Sequence, residues 1–380
     1  MIFVGTDAHY RNSFVHASGA DGQVLARGRC GNTLLETARL WAPIERQAVA
    51  GREAIRVVME STTNSRAIRN LLLQYGQQAG LDLTVQVLHA RKLRIIAESV
   101  TKCDKLDAQV LCDLSRCGLK LPVCYMPDDE EFALREHLRA RSDLVRIRTM
   151  LKNRVHAVLH RRGILTPTGD LFGKAGRTFL EQVSLDEAGR TILQRFVSTI
   201  EHLEAAIGES TASLKELARQ PRWAKPAALL QTIPGVGLIT ALTILAELGD
   251  WRRFRSRAAV SNYAGLVPRL RASNEKCWSG GITHQGSSHL RAMLIEAAWI
   301  AVEKVPVYRS LFQRVEYKAG KKTAIVAVAR EMLEDAFTML RKDEAFRYVA
   351  APVMPASAAS QVGPPVKERI RRSAGSSVAG

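Results

Sequence analysis

The sequence predicts an α/β domain over residues 1–125, a long-helix, coiled-coil-like region over 126–222, a mainly α domain over 223–348 and a disordered tail over 349–380. Three observations carry that reading. Residues 2–118 alternate short apolar runs with amphipathic stretches, as strands and helices do in turn. Residues 129–220 place apolar side chains at steps of three and four over long spans. The closing stretch "AAPVMPASAASQVGPPVKERIRRSAGSSVAG" is rich in Ala, Ser, Pro and Gly, with too little apolar surface to offset the entropy of ordering it.

The first region builds up in order. "IFVG", "SFVHAS" and "QVLARGRC" are short apolar runs, the last two separated by Gly19, Asp21 and Gly22, which predicts a three-strand meander. A helical pattern covers 34–49. "RVVMES" at 56–61 reads as a buried strand, "SRAIRNLLLQYGQQAG" as a helix ending at glycine, and "LTVQVLH" as another strand. A helix carrying Asp104 and Asp107 closes the region. The order is βββ-α-β-α-β-α, an antiparallel meander extended by parallel crossovers.

In the middle region Leu144, Ile147, Leu151, Val155 and Val158 form one predicted stripe, and Ile192, Phe196, Ile200, Leu203 and Ile207 a second. The break "RRGILTPTGDLFGKAG" between them predicts an antiparallel pair or a coiled coil. Residues 131–162 hold nine Lys/Arg against three Asp/Glu, a solvated face or a nucleic-acid contact.

In the third region "LLQTIPGVGLITALTILAELGD" has a helix-hairpin-helix look. Gly235 and Gly237 would let backbone N–H groups approach a phosphate. The next stretch, "WRRFRSRAAVSNYAGLVPRLR", supplies six arginines (252, 253, 255, 257, 269 and 271) with no acid and with aromatic residues interleaved, which suits a phosphate-tracking surface. "THQGSSHLR" predicts a capped helix start, with Thr283 or a nearby serine as cap and Arg291 a turn or two in. Ser273 differs from the serines around it, standing in a basic, turn-rich loop that needs it for neither strand nor helix.

Composition narrows the partners. The chain has 380 residues, 46% of them hydrophobic and 24% charged, as in a globular protein, but 55 Lys+Arg against 37 Asp+Glu leave a net charge of +18. Such a field attracts polyanions, nucleic acid first. No apolar run is long enough to span a membrane, and "MIFVGTDAHY" lacks the basic start of a signal peptide. The six cysteines form no CxxC pair, which predicts reduced thiols in a cytoplasmic protein. His156 and His160 are four apart but lack the glutamate of an HExxH site.

Against this basic background four acids stand out. Asp7 follows the first strand, Glu60 ends the fourth, and Asp104 and Asp107 lie one turn apart on the helix after the fifth. In a βββαβα sheet the first and fourth strands run side by side, and that helix can swing its first turn over their ends. Alternating charge on a solvated helix would account for Asp104 and Asp107 alone. Four converging carboxylates, however, repel one another unless a cation neutralises them. Oxygen ligands without Cys or His favour Mg²⁺ or Mn²⁺, in a pair suited to phosphodiester cleavage. His9 reads as a surface histidine beside Asp7.

At these residues the chain resembles the DEDD-type bacterial insertion-sequence transposases, a family described as bridge-RNA-guided recombinases. "GTDAHY", "VVMES" and "TKCDKLDA" match the family's four acidic positions. "IPGVGLITALTILAELGD", "YAGLVP" and "GGITHQGSSHLRAMLIEAAW" match its C-terminal domain in order and spacing. The likeness runs from about residue 2 to 345. It implies an RNase H/RuvC-like domain binding divalent metal through Asp7, Glu60, Asp104 and Asp107, a helical insertion for oligomerisation and RNA contact, and a transposase domain with a nucleophilic serine. Ungapped alignment of "GLVPRLRASNEKCWSGGIT" puts Ser273 at that serine, although Asn274 stands where the family usually has glycine.

The implied partners are donor and target DNA, a structured guide RNA from the same element, and further copies of the chain in a dimer or tetramer. No membrane is implied. The implied location is the bacterial cytoplasm, in association with the nucleoid. Two rivals remain: a RuvC-like nuclease of the junction-resolvase type that uses metal-activated water, and a non-catalytic nucleic-acid-binding protein.

Overall fold

A computed structural model of the chain describes residues 1–93, 104–167, 169–273 and 276–347. The chain divides into two compact units, Met1–Asp128 and a second beginning at Asp129. In the first, β1 (Ile2–Ala8), β2 (Asn12–Ser18) and β3 (Val24–Gly31) form the meander. Then come α1 (Leu34–Gly51), β4 (Ile55–Glu60), α2 (Ser65–Gln78), β5 (Leu83–Leu88), the single turn α3 (Ala90–Leu93) and α4 (Asp104–Arg116). The sheet order is β3-β2-β1-β4-β5, with β1 antiparallel to β2 and parallel to β4. The expected mixed α/β sheet is present, with one added helical turn.

Alternation along the strands divides the core between two faces. Ile2, Val4, Val57 and Met59 pack with Trp41 and Ile44 of α1 and Ile68 and Leu72 of α2. Val58 and Leu88 turn the other way, against Leu93 and Leu111. Thr33 starts α1 by accepting a hydrogen bond from the Glu36 N–H, and the Glu36 carboxylate accepts in turn from the Gly31 N–H. After α4 the chain returns along β5, where the Cys124 N–H donates to the Val87 carbonyl at 2.7 Å and covers that edge of the sheet.

The second unit opens with α5 (Asp129–His160), α6 (Lys174–Gln182) and α7 (Glu187–Ala218). At 32 residues each, α5 and α7 are about 48 Å long and pack against each other. Their seam is tight only in parts. Val155, Leu159, Leu193 and Ile200 share a core with Leu171 and Leu180, and Leu134, Leu138 and Leu214 join a separate one. Ile147 and Ile192, expected on the seam, are each 39% exposed.

The rest is α8 (Pro221–Leu230), α9 (Leu238–Leu248), a 3₁₀ turn at Trp251–Arg253, α10 (Arg257–Tyr263), β6 (Pro268–Ser273), β7 (Lys276–Ile282), α11 (Ser288–Lys304), α12 (Pro306–Ala319) and α13 (Lys321–Lys342). Every residue of α9 from Thr240 to Leu248 is buried, which explains a helix apolar all round. Ser287 caps α11 by accepting from the Leu290 N–H at 3.2 Å. One feature departs from the sequence reading. Where the sequence predicts a turn-rich loop, the chain forms the antiparallel ribbon β6/β7, and Ser273 is the last residue of its first strand, opposite Lys276. Arg, Ala, Ser and Gly dominate the ribbon, so no apolar alternation announced it. Among the described residues no helix is long and apolar enough to cross a membrane.

Candidate active site

Gly5 decides how α4 meets the sheet. A Cβ at Gly5 would stand 1.9 Å from the Ala108 carbonyl oxygen and 2.5 Å from the Cys112 N, so only glycine lets the helix backbone lie directly on β1. Cys112 Sγ lies 3.2 Å from the Phe3 carbonyl oxygen and 3.3 Å from Ser18 Oγ. Burial raises its thiol pKa, so it sits there as a neutral, packed group. With Ala108 at Gly5 and the Cys112 side chain at Phe3, α4 runs antiparallel to β1. Its first turn, Asp104 to Asp107, therefore lies toward the Asp7 end.

Strand alternation puts Asp7 on the same face as Phe3 and Gly5. Register with β4 runs from Ile2↔Ile55 to Thr6↔Met59, and the next position on each strand is Asp7 and Glu60. Glu60 shares a face with Val58, which packs under Leu111 of α4. Asp7, Glu60 and the start of α4 thus share one end of one sheet face. The Asp7 side chain is 16% exposed and its Oδ2 lies 3.1 Å from His9 Nε2. Glu60 and Asp107 are half-buried and make no ion pair among the described residues. The side chain of Asp104 lies outside the described residues. Among those described, no group of three or more His, Cys, Asp or Glu is close enough to hold a metal ion. Most donors at this end are carboxylate oxygens, with the His9 imidazole beside Asp7, and a set led by oxygen suits a hard divalent ion such as Mg²⁺ or Mn²⁺.

The sequence reading gave no role to Asn32 and Asn64. The Asn32 amide donates to the His9 carbonyl at 2.8 Å and to the Tyr10 carbonyl at 3.2 Å, and the Asn64 amide donates to the same His9 carbonyl at 2.8 Å. Both lie in loops, and the turn-forming contexts "GNT" and "TTNS" were the only signal available.

Ser273 belongs to the second unit, as do all the basic candidates, and these fall into two groups. Arg252, Arg255 and Arg269 are exposed, Arg252 lying 5.8 Å over the Trp251 ring. Three others, Arg253, Arg257 and Arg291, are engaged by groups of the protein itself, Arg257 at the surface. Arg253 lies 4.0 Å over Phe254 and 4.5 Å over Tyr263 and donates to the Leu248 carbonyl. Arg257 reaches Glu331 at 2.7 Å, Asp335 at 3.1 Å and Glu334 at 3.3 Å. Arg291, 8% exposed, donates to the carbonyls of Ala264, Gln285 and Gly286, and burial lowers its pKa. The side chain of Arg271 lies outside the described residues.

The two glycines of the hairpin also divide. Gly235 has φ +91°, and a Cβ there would stand 2.4 Å from the Ala297 carbonyl oxygen, so it seats the hairpin on α11. Gly237 caps α9 with open space where a Cβ would be.

Comparison with known proteins bears on both units. A family model described as Transposase, for the DEDD domain, matches residues 4–162, and one described as Transposase IS116/IS110/IS902 family matches residues 227–313. The transposase for insertion sequence element IS1328 of Yersinia enterocolitica is 27% identical over 321 residues, 84% of this chain and 87% of that one. The transposase for insertion sequence element IS1111A of Coxiella burnetii is 26% identical over 297 residues, 72% of this chain and 76% of that one. The Sinorhizobium fredii protein y4qE is 30% identical over 260 residues; the match covers 61% of this chain and, at 63%, less than two thirds of y4qE. With one family model on the acid-bearing unit, a second on the serine-bearing unit and relatives that span both, the chain belongs to the DEDD-type insertion-sequence transposases.

Proposed function

We propose that this transposase cuts and rejoins DNA strands under the guidance of a structured RNA from its own element. Asp7, Glu60, Asp104 and Asp107 would hold Mg²⁺ or Mn²⁺, and Ser273 would be the nucleophile. The observation that carries the reading is the juxtaposition of Asp7 and Glu60 on neighbouring strands, with the first turn of α4 brought to the same end by Gly5. Carboxylates gathered at one end of a sheet raise the folding cost, and a divalent ion held by them would offset that repulsion and supply positive charge for a scissile phosphate. The chain's own part is to fix these oxygens on rigid elements and to bring the Ser273 hydroxyl to phosphorus. In net terms the Oγ–P bond forms, one DNA P–O bond breaks, and the serine proton ends on the departing DNA oxygen. The phosphoserine ester conserves the bond energy, so rejoining requires no external source.

The net charge of +18 suits donor DNA, target DNA and RNA as partners, and acids and serine in separate units suit a dimer or tetramer acting together. The same separation favours one second reading. A RuvC-like nuclease using metal-activated water would need only the first unit. The deciding experiment is Ser273→Ala with end-labelled element-end DNA, followed on denaturing gels and by mass spectrometry of covalent adducts. Loss of cutting, joining and adduct together is expected. Full cleavage without adduct would assign the chemistry to water.

A further inference from the structure

We infer that the β1–β2 turn, residues 9–12, reads a nucleotide beside the acids, with Tyr10 stacking on a base and Arg11 meeting an adjacent phosphate. The inference rests on the reading of Asp7 and Glu60 as the place where the strand is cut. Tyr10 is 84% exposed, and Arg11 beside it is exposed as well. An isolated exposed tyrosine on a free loop would be unremarkable. This one is held.

The turn closes with the His9 N–H donating to the Asn12 carbonyl at 3.0 Å. Tight hairpin turns favour glycine or asparagine at their centre, because the favoured types require positive φ. Tyr10 and Arg11 occupy the centre here, and neither has positive φ. The local sequence is thus a poor hairpin former, and two distant asparagines hold the turn in its place. Asn32, from the loop after β3, and Asn64, from the loop after β4, both donate to the His9 carbonyl. Each asparagine is itself oriented: Asn32 Oδ1 accepts from Ser13 Oγ at 2.7 Å and Asn64 Oδ1 from Thr62 Oγ1 at 2.9 Å. The Asn32 N–H donates in addition to the Arg11 carbonyl at 3.2 Å.

Three loops are therefore pinned together at one end of the sheet, the end that carries Asp7 and Glu60. Asp7 lies three residues before Tyr10 in the chain, and Asn64 four residues after Glu60. The pinning fixes the backbone while leaving the ring and the guanidinium in solvent. Folding gains nothing from an aromatic ring in that position. A rigidly presented ring next to a cation offers what a single strand requires, a flat apolar surface for a base and a charge for its phosphate. Stacking reads any base, so the turn would position a strand and leave sequence selection to other contacts.

The test uses the full chain in EDTA, so that no strand is cut, with a 20-nucleotide single-stranded oligothymidylate carrying one central 5-iodouracil. Irradiation followed by mass spectrometry should place a cross-link on Tyr10. In fluorescence anisotropy Tyr10→Phe should bind like the parent, and Tyr10→Leu should bind about five- to a hundred-fold more weakly, the range expected for one stacked base. Arg11→Gln should weaken binding less and lower its salt dependence by about one phosphate contact. Cross-links only elsewhere, or a Tyr10→Leu protein that binds like the parent, would overturn the inference. Asp7→Asn separates the two readings: it should keep the Tyr10 cross-link while losing cleavage in Mg²⁺. Cleavage by Asp7→Asn at the parent rate would refute the function proposed above, whatever Tyr10 does.

Discussion

The two units of this chain treat charge in opposite ways. In the first, Asp7, Glu60 and Asp107 stand at one end of a sheet face; Asp7 lies beside His9, and the other two have no ion-pair partner among the described residues. In the second, arginines that looked free for phosphate are partly consumed by the fold. Arg257 binds three carboxylates, Arg291 binds three carbonyls, and Arg253 is stacked on two rings. The difference follows from the side chains. A carboxylate on a short stem stays where its strand register puts it. An arginine has five donors on a long stem and finds internal partners readily. A cluster of acids at strand ends is therefore the stronger functional signal, and an arginine count the weaker.

The sharpest way to break this contrast is to neutralise the acids. Asp7→Asn or Asp107→Asn should lower strand cleavage by at least about a thousand-fold, the loss of several kcal/mol of charge stabilisation, while DNA affinity stays close to that of the parent. Cleavage assays on element-end DNA, with binding measured in parallel, check this. Either variant cutting at the parent rate would show that the acids are structural. Next in size is Gly5→Val. The new side chain meets α4 backbone, so the first unit should lose about 3 kcal/mol or more, and no neighbouring side chain can move to make room. Proteolysis and circular dichroism should show Met1–Asp128 opening before the rest.

Smaller effects separate the arginines. Arg257→Gln should lower stability by about 2 kcal/mol through lost charged hydrogen bonds, with an unchanged salt slope for DNA binding. Changing Arg252, Arg255 and Arg269 together to Gln should leave the melting temperature nearly unchanged and flatten the log–log salt slope by up to about three units. If Arg257→Gln flattens the slope instead, Arg257 meets phosphate and is not reserved for Glu331, Glu334 and Asp335. The smallest effect is Ser287→Ala, about 1 kcal/mol in urea unfolding, from the lost cap on α11.

Much of the first unit was legible in the sequence because its signals are local. Apolar runs bounded by turn residues gave the strands, and their order gave β1 beside β4. The second unit was less legible. The sequence of the ribbon β6/β7 carries no apolar alternation, so Ser273 read as a loop residue. The seam between α5 and α7 was expected along a continuous stripe, yet Ile147 and Ile192 are each 39% exposed, and beside Ile192 it is Leu193 that enters the core. Nor could the sequence single out Asn32 and Asn64, since an asparagine in a loop is ordinary until its partner is known.

By itself, then, the sequence determined the element order, the placement of Asp7 and Glu60 at the ends of strands that neighbour each other in the sheet, and the basic balance that draws nucleic acid. These depend on the period of two along a strand, on chain connectivity and on composition, all of which are carried by short stretches of residues. Only the tertiary structure decided that Gly5 admits the backbone of α4, that Arg257 is bound to Glu331 seventy-four positions away, and that Asn64 reaches back fifty-five positions to hold the turn at His9. The choice of partner across such distances depends on how the elements pack, because a long polar side chain takes whichever acceptor the fold brings within 3 Å, and no local pattern encodes which one that will be.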